Sequence, residues 1–229
     1  MTVFYLGKDT EFPPPELAEP DGLLAVGGDL SSERLLSAYS RGIFPWYGED
    51  TPLLWWCLSP RPLLIPSALH IPKSLRRVLN ARKFNVTFDS SFAKVIRACA
   101  DTPRPDSRGT WIMPEMIRAY VRLHNLGYAH SVEVWEGGDL VGGLYGISLG
   151  KAFFGESMFH RRADASKVAF VYLARALDIW GFHFLDCQQT TPHVLRFGAR
   201  EVDLSAFIRK LKKALRFSTQ KGPWKCPLD

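Results

Sequence analysis

YAHSVEVWE, DLVGGLYGISLG and KAFFGESMF, which together run from Tyr128 to Phe159, decide the fold. Each run is rich in β-branched and aromatic residues and has the length of a strand. Gly137-Gly138 and Gly150 separate them and supply the backbone conformations that hairpin turns demand. The stretch therefore predicts a three-strand antiparallel meander.

On the N-terminal side, Pro114 is placed to open a helix that ends at Gly127, with Ile117, Tyr120, Val121 and His124 on one face. Before it the pattern gives a helix from Pro72 through Arg82, a strand at FNVTF (84–88) and a helix at SSFAKVIRACA (90–100). On the C-terminal side, ADASKVAFVYLARALDIWG (163–181) reads as a long helix and HFLDCQ (183–188) as the next strand. A last helix spans Leu204 to Arg216, and the tail STQKGPWKCPLD looks irregular. Helices, a meander, a helix and a further strand describe an α+β protein with a mixed α/β sheet.

The first sixty or so residues differ. They carry Pro13-Pro14-Pro15, an aromatic run IFPWYGEDTPLLWW, and one short helix, SSERLLSAYSRG, with Ser31 or Ser32 as N-cap and Gly42 as terminator. SPRPLLIP (59–66) reads as a connection, because Pro60, Pro62 and Pro66 disfavour regular structure. The expected organisation is a small N-terminal domain over 1–62 and a larger catalytic domain over 63–229.

The 229 residues carry a formal charge of +6, which suggests an anionic partner. Cys57, Cys99, Cys187 and Cys226 stand far apart without a C-x-x-C pair, which argues against a zinc site and a dense disulfide framework. The start of the chain lacks the pattern of a secretory signal, and no apolar run has the length of a membrane span. The expected setting is the cytoplasm, with reduced thiols. G-x-S-x-G, P-loop and H-E-x-x-H motifs are all missing, so nothing in the sequence calls for a metal.

Two acids stand out. Asp186 follows the apolar run His183-Phe184-Leu185, and Gln188 would share its face if the strand continues. The two form either an amine-handling pair or, in the plainer reading, a loop cap. Glu156 sits in the otherwise apolar strand KAFFGESMF, where alternation puts Phe154, Glu156 and Met158 on one face and Phe153, Gly155, Ser157 and Phe159 on the other. It needs a partner, either in a functional site or through Arg161 or Arg162. Trp46 and Trp111 lie in loops where a ring face could stack on a nucleobase, whereas Trp55 and Trp56 read as hydrophobic plugs. Lys73, Arg76, Arg77, Arg82 and Lys83 form one acid-free basic cluster, and Arg209, Lys210, Lys212, Lys213 and Arg216 another. Either is a phosphate-binding surface or a solvated helix face.

The runs GLLAVGGDLSSERLLSAYSRGIFPWY, LLWWCLSPRP, GTWI, HSVEVWEGGDLVGGLYG, FFGESMF, ASKVAF and LDCQ resemble the leucyl/phenylalanyl-tRNA–protein transferase family, from about Phe12 to Gly198. The resemblance implies an enzyme that moves leucine or phenylalanine from leucyl-tRNA or phenylalanyl-tRNA to the N-terminal arginine or lysine of an acceptor protein, marking it for N-end rule degradation. It also implies a larger domain resembling the acyl-CoA N-acyltransferase fold. Where that fold has a phosphate-binding glycine loop this chain has HRRADAS, which disfavours acetyl-CoA and fits an aminoacyl-tRNA donor. By the same resemblance Trp46 and Trp111 hold the terminal adenosine, and Glu156, Asp186 and Gln188 line the reaction site. Leu144, Phe153, Met158, Leu173 and Leu185 form the side-chain pocket, and Lys73, Arg76 and Arg77 meet the tRNA phosphates. Asn80 stands where the family has a lysine. The donor ester is already activated, so no cofactor is expected, and the chain is expected to act as a monomer. A non-catalytic RNA-binding module would explain the basic helices but not Glu156 and Asp186.

Overall fold

Residues 3–7, 11–102, 110 and 112–228 are described in the structure, a computed structural model. The N-terminal part closes a small sheet of its own from β1 (Phe4–Leu6), β2 (Leu23–Gly27), β3 (Phe44–Pro45) and β4 (Leu54–Trp56), in the order β1-β2-β4-β3. Helix α1 (Ser32–Ser40) lies between β2 and β3. Ser31 caps it by accepting the Arg34 N–H at 3.3 Å, and Gly42, at φ +77°, turns the chain out of it.

Arg61–Leu64 was expected to be a proline-broken connection and is instead β5, a buried strand of the larger sheet. A proline cannot donate to a ladder, but it can accept: the Pro62 carbonyl takes the Cys187 N–H at 3.0 Å. The chain continues through α2 (Lys73–Asn80), β6 (Asn85–Phe88), α3 (Phe92–Ala100) and α4 (Pro114–Asn125). The meander follows as β7 (Ala129–Glu136), β8 (Asp139–Leu149) and β9 (Ala152–His160). Then come α5 (Ala165–Ile179), β10 (Phe184–Asp186), α6 (Pro192–Arg196), β11 (Arg200–Val202) and α7 (Leu204–Ala214). The sheet order is β11-β5-β10-β9-β8-β7-β6. Within this sheet only β9 and β10, among the described strands, pair in parallel, joined by the α5 crossover, so the fold is mixed α/β.

Alternate residues of the sheet feed two cores. Leu64, Leu144 and Leu185 pack with α5, while Leu63, Tyr145 and Phe184 pack with α3, α4, α7 and the inner face of the small N-terminal unit. The N-terminal unit thus shares its core with one side of the large sheet. The deepest face of α4 is Met116, Ala119, Tyr120 and Leu123, about one position round from the expected stripe. Ile117 and Val121 flank it, and His124 stacks on Phe92.

Strict alternation fails on β9. Tyr145 pairs with Ser157 and Gly146 with Gly155, so Glu156 is the extra residue of a β-bulge. Phe153 and Met158 consequently fall on the α5 side, and Phe154 and Phe159 on the other. The irregular tail also hides a core residue. Trp224 is buried, stacks on His130 at 3.6 Å and touches Phe153, Trp180 and Phe182, while its backbone N–H donates to Asp89 Oδ2 at 2.6 Å. Trp224→Ala should cost ~3–5 kcal/mol of stability, the usual loss for a buried aromatic, measured by urea unfolding. A loss below ~1 kcal/mol would mean that the tail is not part of the α5-side core.

Candidate active site

The bulge turns Glu156 toward the N-terminal side of the sheet, where the residue keeps 9 % of its surface exposed. Its carboxylate accepts from Tyr39 Oη at 2.7 Å, Tyr120 Oη at 3.1 Å and Gln188 Nε2 at 2.6 Å. The two tyrosine oxygens also touch each other, and with one proton apiece a bond between them takes the place of one of the bonds to the carboxylate. Tyr39 comes from α1 and Tyr120 from α4, so one carboxyl joins the N-terminal unit, an α4 side chain, β9 and the turn after β10. Burial pushes the Glu156 carboxyl up to about 7, against the lowering effect of the three donors, and Asp186 pushes it further up. Burial and the Glu156 charge hold both hydroxyls well above the ordinary tyrosine value, so they stay donors. Neither arginine considered from the sequence pairs with Glu156: Arg162 meets Glu136 at 3.2 Å and Arg161 lies over the Phe159 ring.

Asp186 is fully buried at the end of β10 and grips Arg61 in a fork, Nε to Oδ1 at 2.9 Å and Nη2 to Oδ2 at 2.8 Å. The guanidinium lies between the rings of Phe44 and Phe207, 5.0 and 4.6 Å from their centroids. The strand stops at Asp186 rather than continuing to Gln188. The Gln188 N–H donates to Asp186 Oδ1 at 2.8 Å and its φ is +59°, a left-handed conformation that costs a non-glycine residue ~1 kcal/mol. The side-chain amide is thereby sent to Glu156, so the acid–amide pair is Glu156 with Gln188.

A cavity of about 460 Å³ opens beside Glu156. Leu144, Met158, Leu173 and Leu185 line it, as expected of the side-chain pocket, but Phe153 does not. That ring is buried behind the wall, against Trp224. Phe170, Val194 and Cys187 complete the apolar wall and were not anticipated. The signal was present: Ser166, Phe170 and Leu173 sit at helical spacing on α5. Burial, then Asp186, pushes the Cys187 thiol far up, so it is an apolar wall group. His160, Lys167 and His193 give the cavity a polar side.

The other expected residues lie outside this cavity. Trp46 follows β3 and is 36 % exposed, with the Trp56 ring 5.6 Å away; Trp111 lies outside the described residues. Lys73, Arg76 and Arg77 share one exposed face of α2, opposite the buried Leu75, and none pairs with a carboxylate among the described residues.

The family described as leucyl/phenylalanyl-tRNA protein transferase matches residues 63–212, and its N-terminal domain matches residues 28–59. A leucyl/phenylalanyl-tRNA–protein transferase of Nitratidesulfovibrio vulgaris (strain DP4) is 58% identical over 230 residues, covering 100% of this chain and 98% of that protein. One from Oleidesulfovibrio alaskensis is 55% identical over 232 residues, covering 99% of this chain and 94% of that protein. Among solved structures, a GCN5-related N-acetyltransferase from Kribbella flavida aligns at TM-score 0.40 and 11% identity, over 72% of this chain and 59% of that one. The likeness to the acyl-CoA N-acyltransferase fold stands at that level and carries no argument about activity.

The geometry sets two expectations. The native Glu156 carboxyl titrates near 7 rather than at the ordinary 4.5, so the folded state holds the proton more tightly. Its stabilising effect is full below about pH 4.5 and is lost as pH rises through 7. Glu156→Gln removes this titration, so the variant should gain ~2–4 kcal/mol relative to the parent protein between pH 4.5 and 8, measured by chemical denaturation. Parallel stability curves would show that the carboxyl is not perturbed. Asp186→Ala leaves the Arg61 cation buried and unpaired, and should cost ~3–5 kcal/mol, read from the urea midpoint. Near-parental stability would mean that the fork is not formed in solution.

Proposed function

The chain belongs to the leucyl/phenylalanyl-tRNA protein transferase family and is an aminoacyltransferase, and we propose that the cavity beside Glu156 is where it passes the aminoacyl group of a charged tRNA to an acceptor amine. The observation that carries this reading is a single carboxyl, pushed up to about 7, lining a cavity whose apolar wall is formed by Leu144, Met158, Phe170, Leu173 and Leu185. Leu144, Met158, Phe170, Leu173 and Leu185 receive the donor side chain, which is leucine or phenylalanine. The donor is an ester and needs no further activation. The acceptor nitrogen attacks the ester carbonyl carbon, the bond to the ribose oxygen breaks, and the proton lost by the amine ends on that oxygen.

An α-amino group titrates near 8 and Glu156 near 7, close enough for Glu156 to take the amine's proton and return it. Asp186 acts through Gln188 rather than on the amine itself. Its oxygens are taken by Arg61, and its part is to set the Gln188 turn, whose amide fixes the Glu156 carboxyl. The ionised fraction of Glu156 also favours a cationic acceptor end, in keeping with an N-terminal arginine or lysine. Trp46 and Trp111 take the terminal adenosine, and Lys73, Arg76 and Arg77 the stem phosphates. The enzyme works as a cytoplasmic monomer in N-end rule marking; no described helix is long and apolar enough to cross a membrane.

The test is incubation with tRNA charged with labelled leucine or phenylalanine and a peptide beginning with arginine. Label should appear in the peptide, and a peptide beginning with an uncharged residue should accept far less. Methionine should transfer at a reduced rate, since a methylene in an apolar pocket is worth only ~1–3 kcal/mol. Cβ-branched valine should be poor. A valine rate equal to the leucine rate would rule out the pocket as drawn, and no labelled peptide would rule out the reading.

A further inference from the structure

On the far side of α6 lies a second cavity of about 540 Å³, at the free β11 edge of the large sheet. Its floor is apolar, formed by Leu63, Ile65, Leu195 and Val202, and its walls carry His70, Arg196, Arg200 and Lys210. No carboxylate lines it. Arg200 and Val202 face it from β11, while Glu201, between them, bonds instead to Thr190. A smaller hollow of about 140 Å³ shares Ile65 and Lys210 and adds His183 and Lys213, so the groove continues along α7. Arg196, Arg200, Lys210 and Lys213 are exposed, and none is ion-paired among the described residues.

We infer that this groove is a second ribose–phosphate track for the donor RNA, separate from the cations of α2. The inference rests on the transferase reading above. Two features favour a polyanion over the acceptor polypeptide. First, the groove meets both other parts of the donor path. His70 stands three residues before Lys73, and α6 presents His193 and Val194 to the aminoacyl cavity but Leu195 and Arg196 to the groove. Burial, helped by Lys167 on the cavity side and Arg196 on the groove side, holds His193 below its ordinary pKa. Second, an acid-free wall suits a partner with obligatory repeating negative charge, which RNA has and an arbitrary acceptor chain lacks. Ribose faces cover the half-exposed Ile65 and Leu195, which are 40 % and 39 % exposed, while the guanidinium forks take phosphate oxygens.

The structure also divides the basic run of α7. Lys210 and Lys213 face the groove and its extension, whereas Lys212 lines neither. The experiment measures Kd for full-length leucine tRNA against salt, using the parent protein, Arg196→Gln/Arg200→Gln/Lys210→Gln, and Lys73→Gln/Arg76→Gln/Arg77→Gln. If each cation meets one phosphate, the groove variant should lose about 0.9 unit of log–log slope per contact, roughly 2–3 units in all, and bind at least ~10-fold more weakly near 0.1 M salt. Arg196→Lys/Arg200→Lys should keep the slope, because that term reads charge. If the triple variant melts early, single Arg200→Gln is read the same way, with an expected loss of about 0.9 unit. A parental slope, or a loss confined to the KM of the acceptor peptide, overturns the groove assignment. A parent protein that transfers nothing from charged tRNA overturns the transferase reading instead, so the two failures are distinct.

Discussion

Arg61 opens β5 with its guanidinium buried between Phe44 of the N-terminal sheet and Phe207 of α7, and Asp186 meets it there from β10. Three parts of the chain remote in sequence are fixed by this one fork. Such a pair is a poor source of stability, because desolvating both ions offsets most of their attraction. Arg61 Nη1, moreover, is buried without a hydrogen-bond partner. An apolar substitute of equal volume could match the pair in free energy. It could not hold the Gln188 N–H, and the left-handed turn that aims Gln188 Nε2 at Glu156 depends on that bond. The arrangement therefore spends stability on geometry, as functional sites commonly do.

The same trade governs Glu156. Full burial of a lone carboxyl would keep it neutral far above pH 7, and three good donors in an open site would hold it well below its ordinary value. Here burial outweighs Tyr39, Tyr120 and Gln188 only in part, and the balance falls near neutrality. The setting depends on the N-terminal unit, since one donor comes from α1. A shared core rather than a hinge between the two parts follows from that need: an ångström of drift at Tyr39 would weaken a hydrogen bond and shift the titration of the carboxyl.

The meander, α5, α1 with its cap and the acids of the site were legible because periodicity, turn glycines and capping residues are local signals. The failures have physical causes of their own. Prolines hid β5, since the expectation that they break strands overlooks a proline that only accepts. The bulge at Glu156 inverted the faces on either side of it, and nothing in FFGESMF marks which residue is extra. The reversal at Gln188 arises from a long-range partner, Arg61, 125 residues from Asp186 in the chain. Trp224 looked like part of an irregular tail because a side chain can be buried without any regular backbone to announce it. The resemblance named the site's acids and amide, but not which of them contact each other.

Charge is distributed in a way that suits two unlike substrates. The excess of +6 is carried by exposed side chains, on α2 and around the β11 edge, where salt screens any single charge within ~8 Å. Such cations matter only in number, by releasing counterions from a long polyanion, and they select for charge rather than sequence. The interior pairs its charges instead: Arg61 matches Asp186, and Glu156 is the carboxyl left to line the cavity. There the effective dielectric is low, and one carboxylate acts on one amine with several times the energy of a surface pair. A collective, salt-sensitive exterior gathers the RNA. A single, salt-insensitive carboxyl then discriminates among amines at the reacting carbon, so salt should change how tightly the donor binds far more than which acceptor is used.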